Sequence, residues 1–141
     1  MATYTVELAL PPKECSPNWR GHWAKKARAV KDYRQDCAQR FRAAGVPALP
    51  LPVRVGLSYY LWRGSGAQTI YERMGLFFPR DRDNAWAGAK SAIDSLQDAG
   101  VIPNDSGRCV HLGDLQLFSR EKDHGRRTAL VVTLKTEGGA E

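Results

Sequence analysis

Residues 22–44 contain neither glycine nor proline, and their apolar members Trp23, Ala27, Val30, Cys37 and Phe41 fall on one stripe when wound at about 100° per residue. Gly45 and Pro47 follow and end the run. The spacing predicts a long amphipathic helix, and that stripe has to be buried against something. The rest of the chain supplies strands: "TYTVELAL" alternates with period 2, "VRVGLSYYLW" is rich in β-branched and aromatic residues, and "TALVVTLK" reads as a last strand. The segment "RCVHLGDLQLFS" predicts one or two more. A second stripe, Ala85, Ala89, Ala92, Ile93 and Leu96, winds through residues 84–99, with Asp83 as its predicted N-cap and Gly100 at its C-terminal stop. The expected fold is α+β in one domain spanning residues 1–141, with a mixed sheet of about four to five strands and two main helices.

Hydrophobic residues at 43% and charged residues at 26% are ordinary for a globular chain, and no apolar run approaches the roughly 20 residues that a membrane helix needs. The start "MATYTVELALPP" has no basic region before its apolar residues, so no signal peptide is expected and the predicted location is the cytoplasm. Cys15, Cys37 and Cys109 show no C-x-x-C spacing, which argues against a disulfide framework or a zinc site and predicts reduced packing residues. His22, His111 and His124 likewise lack metal-ligand spacing, and neither a P-loop nor G-x-G-x-x-G occurs.

The net charge of +6 is concentrated. Residues 20–42 hold eight Lys or Arg against Asp32 and Asp36, so that segment alone carries the whole excess. A solvated helix face would produce such a run, and so would a surface for a polyanion, of which nucleic acid is the commonest. Arg34 sits in the middle of the apolar stripe. It either snorkels to the rim of the core or reaches a bound phosphate or a carboxylate of a site. The candidate phosphate contacts are Arg20, Lys25, Arg28, Lys31 and Arg34, with Arg80 and Arg82 in "PRDRD", and Arg126 and Arg127 in the basic turn "REKDHGRR".

The stretch "FPRDRDNAWAGAKSAIDSLQDAGVIPND" sets Asp81 and Asp83 before a helix and Asp105 after it. If "PRDRD" is extended, Asp81 and Asp83 point the same way, and Arg80 and Arg82 point away from them. Two carboxylates so close repel, and a divalent cation is then the better remedy. Magnesium takes a few carboxylates and keeps several waters, and Asp105 would add a further oxygen. Such a cluster suits metal-dependent phosphoryl transfer. The competing reading is plain capping and turn chemistry, which often produces D-x-D. Trp19, Trp23, Trp62 and Trp86 suit either the core or stacking on unpaired bases, and the segment "RGSGAQTIYERMG" borders the carboxylates.

On these residues the chain resembles the RusA family of Holliday-junction resolvases, small dimeric magnesium-dependent endonucleases of bacteria and their phages. The match runs through Pro11, Pro12 and Asn18, "HW" (His22, Trp23), "YR" (Tyr33, Arg34), "DRDN" and "IDSLQDAGVIPND". The resemblance implies that Asp81, Asp83 and Asp105 are metal-binding catalytic carboxylates, with magnesium as cofactor and manganese as a possible substitute. The family's best-known member has a lysine at the position of Ala87; here Lys90 comes one turn later, either as a replacement that reaches a phosphate or as a partner of Asp94. The implied partners are a four-way DNA junction and a second copy of the chain, and paired symmetric nicks are the implied reaction. The strand "VRVGLSYYLW", whose alternating faces both look apolar, would contribute the dimer interface unless it is simply central and covered on both faces. Two other classes stay open: a non-catalytic DNA-binding module on the same fold, and a metal-dependent phosphohydrolase of small nucleotides.

Overall fold

The computed structural model describes residues 3–61, 71, 73–77, 79, 81–104, 106–118 and 128–136, with the side chain of Phe118 excepted. The long stripe becomes α1 (Trp23–Ala43), which starts where His22 Nδ1 accepts the Ala24 N–H at 3.1 Å. Four strands, β1 (Thr3–Leu8), β2 (Val53–Tyr60), β3 (Val110–Phe118) and β4 (Ala129–Thr136), form one sheet in the order β1-β4-β2-β3. β4 pairs antiparallel with both β1 and β2, whereas β2 and β3 run parallel with a register shift between Val55 and Leu57. A parallel pair needs a crossover, and the connection between β2 and β3 carries the remaining helices. The expected α+β class with a mixed sheet is thus the observed one. Among the described residues no helix is long and apolar enough to cross a membrane.

One face of the sheet is covered. Val6 and Leu8, Val53, Val55, Leu57 and Tyr59, and Leu130, Val132 and Leu134 enter a core completed by Tyr33, Cys37 and Phe41 of α1. On β2 the outward residues are Arg54, Gly56, Ser58 and Tyr60, exposed or half-buried and mostly polar or small. The expectation of a second apolar face on this strand is therefore corrected: β2 lies between β4 and β3, and its aromatic content serves one core.

The second helical stretch also departs from expectation. It is two helices, α2 (Arg82–Gly88) and α3 (Lys90–Asp98), separated at Ala89, whose ψ of 3° breaks the α-helical run. The apolar stripe survives the break: Ala85, Ala89, Ala92 and Leu96 are all essentially fully buried. The break lies beside a close approach, because a Cβ on Gly88 would stand 2.3 Å from the buried Phe77 ring. Gly100, at φ 79°, ends α3 as expected. The N-cap is Asp81, not Asp83: Asp81 is extended and its Oδ1 accepts the Asn84 N–H at 2.8 Å.

Cys15, Cys37 and Cys109 are buried and free, which matches their reading as packing residues.

Candidate functional site

Three contacts fix α2 against the sheet and so place its first turn. Phe77 fills the space over Gly88, the buried Tyr59 hydroxyl donates to Ala85 O at 2.7 Å, and Arg82 Nη1 donates to Leu115 O of the outer strand β3 at 3.0 Å. Asp81 and Asp83 are then held as exposed carboxylates at the positive end of a helix dipole. Their relation is not the expected alternation. Asp81 is extended but Arg82 already begins the helix, so Asp83 belongs to the first helical turn and the same-side argument for a strand does not apply.

The two carboxylates also differ in occupation. Asp81 uses one oxygen as a cap, while Asp83 makes no hydrogen bond or ion pair among the described residues. Asp105, the third expected carboxylate, lies outside the described residues, as does Arg80. Among the described residues no group of three or more His, Cys, Asp or Glu is close enough to hold a metal. The donors present still suit a hard cation, since the free oxygen of Asp81 and both oxygens of Asp83 are solvent-accessible carboxylate oxygens.

Lys90 opens α3 and stands 3.2 Å from Asp94, so of its two expected roles the pairing is the one formed; the pair is exposed on the lysine side.

The basic residues of α1 divide along its length. Arg34 binds the Asp98 carboxylate with two nitrogens, Nη2 lying 3.0 Å from Oδ1, and Arg42 donates to the Asp98 carbonyl. Arg34 thus reaches a carboxylate, although one at the end of α3 and outside the predicted set. Arg40 pairs with Asp36 at 2.9 Å. Towards the other end Arg20, Arg28 and Lys31 are exposed and have no ion pair among the described residues, and Lys25 lies a loose 4.0 Å from Glu14. Arg82, expected as a phosphate contact, is engaged with β3. Arg126 and Arg127, with the rest of "REKDHGRR", and Trp62 with residues 63–70 lie outside the described residues.

The turn that precedes α1 is tied by backbone bonds to the segment that leads to Asp81. Lys13, in the 3₁₀ turn Lys13–Cys15, donates its N–H to Gly75 O at 2.8 Å, and Phe77 N–H donates to Pro11 O at 2.8 Å, beside the segment that leads to Asp81. The same turn touches α1 through Glu14 and Lys25 and touches α3 through a hydrogen bond between the Cys15 thiol and Ser91. Sequence reasoning missed Asp98, Tyr59 and Phe77 as positioning residues. Only "FFP" next to "DRD" signalled a buried anchor, and the Asp98 contact spans 64 residues of sequence.

A protein of Xylella fastidiosa (strain Temecula1 / ATCC 700964), described as uncharacterized, is 31% identical over 134 residues, which is 92% of this chain and 75% of that protein. The chain belongs to the same family as that protein. No family model matches the chain. The shared family assigns no activity.

Proposed function

We propose that the chain is a magnesium-dependent endonuclease that cuts branched DNA by hydrolysing phosphodiesters, as its likeness to the RusA family implies. The observation that carries this reading is the exposed Asp83 carboxylate beside the capping Asp81, which makes no hydrogen bond or ion pair among the described residues, in a chain whose Arg20, Arg28 and Lys31 likewise have no ion pair among them. Two adjacent exposed carboxylates repel each other, and a divalent cation held between them would relieve that repulsion. The cations supply sequence-independent phosphate contacts. Bound magnesium would neutralise charge developing on the phosphate, and Asp81 and Asp83, with Asp105, are the residues that would hold it. The chain's own contribution is positional: Phe77, Tyr59 and Arg82 lock the first turn of α2 so that the carboxylates need little reorganisation. Two symmetric nicks call for two copies, so the proposed unit is a homodimer, and light scattering should give about twice the monomer mass. Three buried free thiols agree with a reducing cytoplasm, in a bacterium or a phage-infected cell.

A second reading has an observation of its own. The capping bond of Asp81 is what a non-catalytic DNA-binding module would also show. The two separate on a four-way junction compared with a matched duplex, with and without magnesium. Asp81→Asn keeps a competent N-cap, and Asp83→Asn disturbs no contact of the fold, yet each should nearly abolish cutting while junction binding persists. Tight binding in EDTA with no cutting by the unaltered chain in magnesium would select the module instead.

A further inference from the structure

Trp23 and Phe41 are eighteen residues apart, about five helical turns, and so share one angular position on α1. Phe41 is 0% exposed, yet Trp23 is 76% exposed, the most open large apolar side chain among the described residues. The periodicity that placed Trp23 on the core stripe gives the angle about the axis, but at this first turn of α1 the described residues leave most of the indole exposed. The ring is not loose. It stacks on His22, centroid to centroid 5.6 Å with 27° between planes, and His22 is itself fixed by its capping bond to Ala24.

The surroundings specify a partner. Arg20, Arg28 and Lys31 are exposed without ion partners, and Lys25 carries an exposed ammonium; the nearby Glu14 is buried. One turn beyond Trp23 a shallow groove of about 820 Å³ begins at Ala27 and continues past Lys31, Arg34 and Arg42. An exposed aromatic ring at the start of a helix whose first half is rich in exposed cations suits a group that is flat, apolar on its faces and joined to anions. A second copy would bring the same positive charge to the same place and be repelled. We infer that Trp23, backed by His22, is a stacking platform for an unpaired nucleobase at the branch point, with the adjacent phosphates met by Arg20, Lys25, Arg28 and Lys31. The inference rests on the proposed DNA substrate and adds what distinguishes a branch from a duplex: a duplex offers no free base face, whereas a junction opened at its centre does.

The probes are a four-way junction carrying 2-aminopurine at the branch, a single-stranded oligo(dT) and a matched duplex. The unaltered protein should quench the 2-aminopurine. Trp23→Ala should lose that quenching and on the order of tenfold in affinity for the junction and oligo(dT), with duplex affinity unchanged. Trp23→Phe should recover part of the loss, and His22→Asn, which keeps a good N-cap, should fall between. Equal quenching and equal affinity in Trp23→Ala would overturn the platform while cutting by the unaltered protein kept the nuclease reading in place. Unaltered protein that binds none of the three probes would overturn both. If Trp23→Ala instead converted a dimer to a monomer without changing oligo(dT) binding, the ring would belong to a subunit contact and the platform would be wrong.

Discussion

The two halves of α1 are the same helix put to different uses. In the C-terminal half Tyr33, Cys37, Ala38 and Phe41 are buried, the Tyr33 hydroxyl donates to Ala9 O at 2.7 Å, and Arg34, Arg40 and Arg42 are all tied to acceptors. In the N-terminal half Trp23 is open and Arg28 and Lys31 have no ion partner among the described residues. Packing and the proposed binding surface thus occupy successive stretches of one element, and substitutions should separate them.

The largest contrast is between the two aromatic residues on the shared stripe. Phe41→Ala should destabilise the fold by about 3–5 kcal/mol in urea titrations, because a fully buried ring leaves a cavity, whereas Trp23→Ala should stay within about 0.5 kcal/mol. A comparable loss in both would mean that the N-terminal half is packed in solution. Next comes alkali. Burial pushes the Cys37 thiol from 9.0 up to about 12. It likewise raises Cys15, Tyr33 and Tyr59. Between about pH 9 and 12 the unfolded chain has released a Cys37 proton that the folded chain still holds, so stability should fall as pH rises through that window. Urea midpoints measured from pH 8 upwards should show the decline, and Cys37→Ala should make it shallower. Tyr33→Phe removes the hydroxyl that satisfies Ala9 O and should cost about 1 kcal/mol by the same titration.

Smaller still is the ion pair. Arg34 and Asp98 are each more than a third exposed, so Asp98→Asn should cost at most about 1 kcal/mol, and less in high salt. The smallest effect on stability belongs to Arg28→Ala and Lys31→Ala, near zero, while the salt dependence of junction binding should lose about one counterion for each. An unchanged salt slope would return these residues to an ordinary solvated face and dissolve the contrast between the halves.

Much of this was legible in residue order because it depends on local periods. Alternation located β1, β-branched and aromatic content located β2, "TALVVTLK" marked β4, the stripe Ala85, Ala89, Ala92 and Leu96 is buried as its spacing predicts, and Gly100 stops the helix where a positive φ is needed. The candidate site was legible as residue types and less so as geometry. Whether Asp81 or Asp83 would cap depended on where helical winding starts, and the ring of Phe77 against Gly88 accompanies a break that no propensity announced. Lys90 and Asp94 were visible as neighbours four residues apart, and the structure brings them within 3.2 Å.

By itself, then, the sequence determined the directions in which side chains leave each element, because the periods of 2 and about 3.6 residues are properties of the backbone. Only the tertiary structure decided what each of those directions meets. Arg34 finds Asp98 across 64 residues, the outward face of β2 is left to Arg54, Ser58 and Tyr60, and Trp23, which shares the angular position of Phe41, stays open while Phe41 is buried. A helical period fixes an angle about the axis and carries no information on where along that axis the neighbouring layer ends.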